Sequence, residues 1–274
     1  MKKLLLIGLT LLTLFTLSAC SKNDTASDDL EKITVVATLE PHATILDACK
    51  PLLKEKGYSL DVVVVDDYYI PNRSVNDGEA DANYFQHIPF FEAEVKNNGY
   101  KLVNVAGVHI EPFGFYSNEI KSIDELKDGS TIVISNSVAD HGRILSILAA
   151  NNLIEIKDGV NAVDATINDI AKNPKNLKFV EVKPELLTLA LANNEGSLVA
   201  INGNYAISYG LNPTKDAIIL EKGDSSNPYV NILAAREDNA ESDKIKALVE
   251  VLKSDEIKNF ILEHYSDGSV IPAE

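Results

Sequence analysis

The chain has 274 residues, 45% hydrophobic and 24% charged, the balance of a globular protein with one large domain or two small ones. That composition excludes a disordered tail, a fibre and a multi-span membrane protein. Forty-one Asp and Glu outweigh 25 Lys and Arg, for a net charge of −16, and so acidic a surface repels phosphate backbones and argues against nucleic-acid binding. Two Cys are too few for a disulfide scaffold or a cysteine zinc site.

Lys2 and Lys3 precede an apolar run from Leu4 to Leu17. The run is short of the roughly 20 residues a membrane span needs and has the length of a secretory signal core. Leu17-Ser18-Ala19-Cys20 follows, small residues directly before a Cys, similar to a bacterial lipobox. Residues 1–19 are therefore expected to be a signal peptide and Cys20 the lipidated first residue of the mature chain. Polar residues up to 32 form its flexible tether. Cleavage there removes two lysines and no acid, taking the net charge to −18. The expected location is the extracytoplasmic face of the cell membrane, held by lipid.

In chain order, Ile33–Thr38 reads as a β-branched strand and Pro41 as the first turn of a helix running to Gly57. Leu60–Val65 is nearly unbroken Val, which predicts a strand buried on both faces of a parallel sheet. A short helix over 71–80, a strand at Ala82–Phe85, a helix at His87–Gly99 and a strand at Leu102–Val108 continue the alternation. Ser122 and Glu125 have capping-box spacing. Strands follow at Thr131–Ser135, Lys178–Val182, Leu198–Ile201, Ala217–Leu220 and Tyr229–Ala235. Helices are expected at Ala139–Asn151, from Pro184, and at Ser242–Leu252 and Asp255–Tyr265. Repeated β-α-β predicts an α/β fold of two lobes with mostly parallel sheets. Ligands of such sheets lie beyond the carboxyl ends of the strands, which two lobes turn toward one cleft. Cys49 falls on the apolar stripe of the first helix and reads as core.

The sequence has no G-x-S-x-G, P-loop, G-x-G-x-x-G or H-E-x-x-H motif, and no His pair at i, i+4. No catalytic residue, metal or cofactor is expected. The adjacent Asp66 and Asp67 read as a solvated loop or a helix cap. Three clusters at strand or helix ends suit recognition. Tyr68, Tyr69, Phe85 and His87 stand beside Asn72, Asn83 and Gln86, either as core packing with Tyr84 or as an aromatic slot. Gly142-Arg143 lies in the first helical turn, where a cation opposes the dipole. Arg143 there reads either as half of an anion site or as an arginine paired with one of the many acids. Asn202 and Asn231 follow apolar strands and suit turns or contacts to an amino-acid backbone.

At these clusters the sequence resembles the methionine-binding lipoproteins of ABC importers, the NlpA/MetQ lipoprotein family. The matching stretches are Asp81-Ala-Asn-Tyr-Phe-Gln-His87, Asp67-Tyr68 with Pro71-Asn72, Ile201-Asn202 through Thr214, Pro228-Tyr229-Val-Asn231 and Arg236-Glu-Asp-Asn239. The resemblance runs from about residue 31 to the C-terminus. It implies a periplasmic-binding-protein-like fold in which 33–114 and 230–274 form lobe I and 115–229 lobe II. Two crossover segments, near 113–117 and 226–231, join them across a ligand cleft. It also implies L-methionine as ligand and a membrane permease with its ATPase as partners. By motif, Arg143 pairs with the ligand carboxylate, Asn202 and Asn231 hold its carboxylate and ammonium ends, and Tyr68, Phe85 and His87 flank its side chain. Glu111 is a lesser candidate for the ammonium.

Two stretches depart from the family pattern. Asn136-Ser-Val-Ala-Asp-His141 lacks the family's Asp-Pro-Thr core and places His141 beside the carboxylate site, and Leu186–Gly196 lacks an acidic pattern. The alternatives are specificity shifted to another amino acid or a methionine-containing short peptide, or a surface lipoprotein with a role other than transport. An enzyme on the same frame would need an acid–base pair in the cleft.

Overall fold

The computed structural model describes residues 30–223 and 227–273. The expected signal peptide and Cys20 lie outside them. Among the described residues no helix is long and apolar enough to cross a membrane.

The chain opens with Glu31–Ala37 (β1), a wide turn at Leu39–Ala43 and Thr44–Glu55 (α1), followed by Tyr58–Val64 (β2) and Ile70–Asn76 (α2). Ala82–His87 (β3), Ile88–Asn98 (α3) and Leu102–Ile110 (β4) complete the first run. Next come Gly114–Tyr116 (β5), Thr131–Ser135 (β6), Val138–Ala150 (α4) and a small hairpin of Glu155–Ile156 (β7) and Ile170–Lys172 (β8). Lys178–Val182 (β9), Leu187–Ala192 (α5), Leu198–Ile201 (β10), Gly203–Ser208 (α6), Pro213–Asp216 (α7) and Ile219–Leu220 (β11) follow. The last elements are Val230–Arg236 (β12), Asp243–Leu252 (α8), Asp255–His264 (α9) and Ile271–Pro272 (β13).

Two sheets carry these strands, in the orders β13-β4-β12-β3-β1-β2 and β11-β5-β10-β6-β9. The chain leaves the first sheet after Ile110, enters the second at Gly114, and returns between Leu220 and Val230. The outward crossing therefore lies just before the expected 113–117.

Both sheets are mixed rather than mostly parallel. Strands β1, β2 and β3 pair in parallel, but β12 inserts antiparallel between β3 and β4, and β5 pairs antiparallel with β10 and β11. The cause is the crossing itself: a strand arriving from the other lobe needs no helical crossover to set its direction. The Val-rich β2 is an edge strand, with Val63 and Val64 exposed, so it is not buried on both faces.

In lobe I, α1, α8 and α9 set Ile45, Leu46, Cys49, Leu53, Ile245, Leu248, Ile257 and Ile261 against Ile33 and Val35. The i, i+4 spacing of these residues makes the stripe. In lobe II, α4 packs Ile144, Leu145 and Leu148 on Ile132 and Ile134. A third cluster joins the lobes, with Tyr68, Phe85 and Phe90 meeting Leu187, Val199 and Tyr205. Truncating a fully buried Leu or Ile in either core to Ala costs about 2–5 kcal/mol. Cys49 is fully buried and burial pushes its thiol up to about 12, as a core role requires. Pro41 lies in the turn before α1 rather than in its first helical turn, and regular helix begins only at Thr44.

Candidate ligand-binding site

Between the sheets lies a small cavity with about 20 Å³ of free space, about the room of a single water. Its walls come from seven places. Tyr68 follows β2, and Phe85, Gln86 and His87 end β3, with Phe90 on α3. Glu111 sits on the outward crossing. Asp140 and Arg143 lie on α4, Asn202, Gly203 and Asn204 at the turn from β10 into α6, and Asn231 on β12. All six residues picked from the sequence, Tyr68, Phe85, His87, Arg143, Asn202 and Asn231, line this one cavity.

Local structure positions each group. Asp67 caps α2 by accepting from the N–H groups of Tyr69 and Ile70, at 2.7 and 2.8 Å, which sets Tyr68 against Phe85, Phe90 and Tyr205. Tyr69, next to it, is exposed and takes no part in the core. The Tyr68 hydroxyl donates to Asn204 Oδ1 at 2.6 Å, tying the lobes together. His87 caps α3: its Nδ1 accepts from the Phe90 N–H at 3.2 Å. The proton therefore sits on Nε2, which donates to Asp140 Oδ1 at 3.3 Å across the cleft. Asn202 Nδ2 donates to the same oxygen at 3.3 Å. Burial alone would raise the Asp140 carboxyl, but the hydrogen bonds from His87, Ser135 and Asn202 hold it below its ordinary value. Of the buried side-chain polar atoms without a partner among the described residues, two belong to cavity-lining residues, the acceptors Asp140 Oδ2 and Asn202 Oδ1. Such orphans are rare in folded proteins and costly.

Arg143 departs from expectation. Helix α4 starts at Val138, so Arg143 is its sixth residue, beyond the first-turn N–H groups, and no anion site forms there. The side chain is buried, not at the surface. Its Nε and Nη2 donate to Glu221 at 3.0 and 2.5 Å, and Nη2 also donates to the Glu111 carbonyl at 2.6 Å. Tyr229 lies under the guanidinium, 4.4 Å from its ring centroid. Burial disfavours the charge, but Glu221 outweighs it and keeps the group protonated. Among the described residues no hydrogen bond engages Nη1.

Two glycines permit this packing. A Cβ on Gly203 would sit 2.6 Å from Glu111 Cβ, and one on Gly142 would sit 2.3 Å from the Val163 carbonyl oxygen. His141 does not reach the cavity wall; its Nε2 donates to the Ser135 carbonyl at 2.9 Å. Glu111, on the cavity wall, is buried against His42 and His109 behind it, three groups close enough to grip a cation, yet each ring nitrogen of the two histidines already has a hydrogen-bond partner.

Asp140, Glu221 and His42 were missed from the sequence. Asp140 carried a signal, since it lies in the stretch that departs from the family pattern. Glu221 and His42 carried none, because their partners Arg143 and Asn231 stand 78 and 189 residues away.

These features define a two-lobed α/β binding protein with a cleft walled by aromatic and polar side chains. The model of the NlpA lipoprotein family matches residues 33–274, and the chain belongs to that family. The methionine-binding lipoprotein MetQ of Bacillus subtilis (strain 168) is 52% identical over 273 residues, covering 99% of each chain. A crystal structure of a Bacillus subtilis lipoprotein is 53% identical with a TM-score of 0.87, over 89% of this chain and 98% of that one. A nutrient-binding protein from Burkholderia cenocepacia, solved bound to methionine, is 34% identical with a TM-score of 0.83, over 88% of this chain and all of that one.

Proposed function

We propose that this chain is the substrate-binding lipoprotein of an ABC amino-acid importer. It closes on L-methionine and hands it to a membrane permease driven by an ATPase. The observation that carries this reading is the pair of unpartnered buried acceptors facing a cavity with an arginine. Asp140 Oδ2 and Asn202 Oδ1 suit an ammonium, which brings three donors. Arg143 Nη1 and the Asn231 amide suit the carboxylate. Tyr68, Phe85, His87 and Phe90 suit a thioether, which packs well on aromatic rings. The relatives named for methionine, and the one solved with it, support the same ligand.

In this reading residues 33–114 with 230–274 move as one lobe and 115–229 as the other, and Cys20 carries the lipid that holds the protein at the outer face of the membrane. The protein binds and releases its ligand unchanged. Titration calorimetry of the purified protein, refolded to strip carried ligand, tests it against the twenty amino acids and methionyl dipeptides. L-methionine is expected to give the strongest binding. No heat with any of them would end the reading.

A further inference from the structure

From Asn231 and Glu111 on the cavity wall a buried polar chain runs back to Thr38, His42, Tyr84 and His109, four residues to which the ligand reading assigns no task. Thr38 Oγ1 lies 2.8 Å from His42 Nδ1, and His42 Nε2 lies 3.1 Å from Asn231 Oδ1 and 3.4 Å from Glu111 Oε1. His109 Nε2 lies 2.8 Å from that same carboxylate oxygen, and its Nδ1 meets the Tyr84 hydroxyl. The two rings pack edge-on, 5.0 Å apart, and Thr38, His42, Tyr84, His109, Glu111 and Asn231 are all buried.

The protons in this chain follow from its geometry. An ionised carboxylate only accepts, so both Nε2 atoms facing Glu111 Oε1 carry hydrogen. Both Nδ1 atoms are then acceptors, supplied by the Thr38 and Tyr84 hydroxyls. Burial lowers His42 to about 4 and His109 to about 3, so each ring is neutral at physiological pH and has one proton to place. The atom of Asn231 that faces His42 must therefore be its oxygen, and its NH₂ is left for the cavity. An amide without such a partner turns either end toward a ligand.

We propose that His42 is a positioning residue for ligand selection: it locks the Asn231 amide with its NH₂ toward the cavity, so that the site accepts a carboxylate and rejects a carboxamide. The inference rests on the reading of Asn231 as a contact to the ligand carboxylate. Glu111 sets the His42 tautomer and Thr38 completes it.

The test is calorimetry with L-methionine and L-methioninamide on the full protein and its variants. Wild type prefers methionine strongly. His42→Phe removes the donor, frees the amide to turn its oxygen inward, and reduces that preference at least about tenfold. His42→Gln, which keeps an N–H donor, retains most of it. In an Asn231→Ala background His42→Phe changes neither affinity further. Asn231→Asp keeps the acceptor toward His42 and puts a second acceptor into the cavity, so it shifts the preference toward methioninamide; it reports even where His42→Phe fails to fold. Equal weakening of both ligands in His42→Phe, or an unchanged preference in Asn231→Asp, overturns the proposal and leaves the ligand reading standing. A wild type that binds no amino acid removes the ligand reading and this proposal together. Nitrogen-15 NMR of the imidazoles gives an arm that needs no ligand: His42 is expected as the neutral Nε2–H tautomer, and the Nδ1–H tautomer overturns the proposal.

Discussion

The two walls of the cleft are built on opposite terms. Lobe I closes its polar groups on themselves: Asn72, Asn83 and Gln86 bond one another at 2.7 to 2.9 Å, and the His42–Glu111–His109 chain has a partner on every ring nitrogen. Lobe II leaves Asp140 Oδ2 and Asn202 Oδ1 unpartnered, and gives Arg143 an internal carboxylate in place of a surface one. A satisfied network rigidifies the wall that holds it. An unsatisfied one stores a cost that a complementary ligand relieves. In the proposed reading the first lobe is the preformed slot, and the second is the half-site that a zwitterion would complete.

That contrast breaks first at Arg143. Arg143→Ala removes the cation proposed for the ligand carboxylate and leaves the partly buried Glu221 without its partner. Breaking a buried pair costs about 3–5 kcal/mol, and the partial exposure of Glu221 lowers that figure. Methionine binding is expected to vanish in calorimetry and the melting temperature to fall; wild-type affinity would refute the assigned role.

Acid tests the lobe I network. His42 and His109 sit near 4 and 3, below the ordinary 6.5. Between those values the unfolded chain binds protons that the folded chain does not, so stability falls as pH falls from about 6.5 toward 4. Each imidazole contributes up to about 1.4 kcal/mol per pH unit. Burial raises Glu111, against the pull of His42 and Arg143, and a raised carboxyl acts in the opposite sense, so it returns part of the loss. Thermal melts of the ligand-free protein should drop from pH 7 to 5, and His109→Gln should flatten the slope. A flat wild-type profile would contradict a neutral buried pair.

Lobe II answers differently. Asp140→Asn keeps an acceptor for His87 but removes the charge offered to the ammonium. A lost charged hydrogen bond weakens methionine by about 1.5–3 kcal/mol. The melting temperature of the empty protein should fall modestly, because the fold holds the Asp140 carboxyl below its ordinary value and so favours its charge. A loss of stability without a loss of affinity would reverse the division between the lobes.

Much of the frame was legible. Strands β6, β9 and β10 match their expected bounds, because short β-branched runs ended by turn residues have few other readings. The aromatic slot was legible because Asp81–His87 and Asp67–Asn72 carry their own caps and turns. Strands β5 and β13 have three and two residues, too few for any periodicity to show. The antiparallel insertion of β12 depends on the return crossing, which leaves no local pattern. Arg143 was found and its partner Glu221 was not, since a lone glutamate after a two-residue strand resembles any surface acid until the fold brings it within reach.

The smallest expected effect isolates closure from contact. Tyr68 presents its ring to the cavity and its hydroxyl to Asn204 on the opposite lobe. Tyr68→Phe keeps the ring, and so the packing on a thioether, and removes the one bond. A neutral hydrogen bond is worth about 1 kcal/mol, with an added cost because Asn204 Oδ1 is left buried. That penalty falls only on the closed form, since water reaches Asn204 when the lobes part. Calorimetry should show methionine affinity lower by roughly fivefold to tenfold, and melts of the ligand-free protein should change little if its lobes are open in solution. Small-angle scattering then separates the causes, because a closure defect enlarges the liganded variant and a contact defect does not. An unchanged affinity would mean that the bond reforms elsewhere, and that the aromatic wall alone carries the contribution of lobe I.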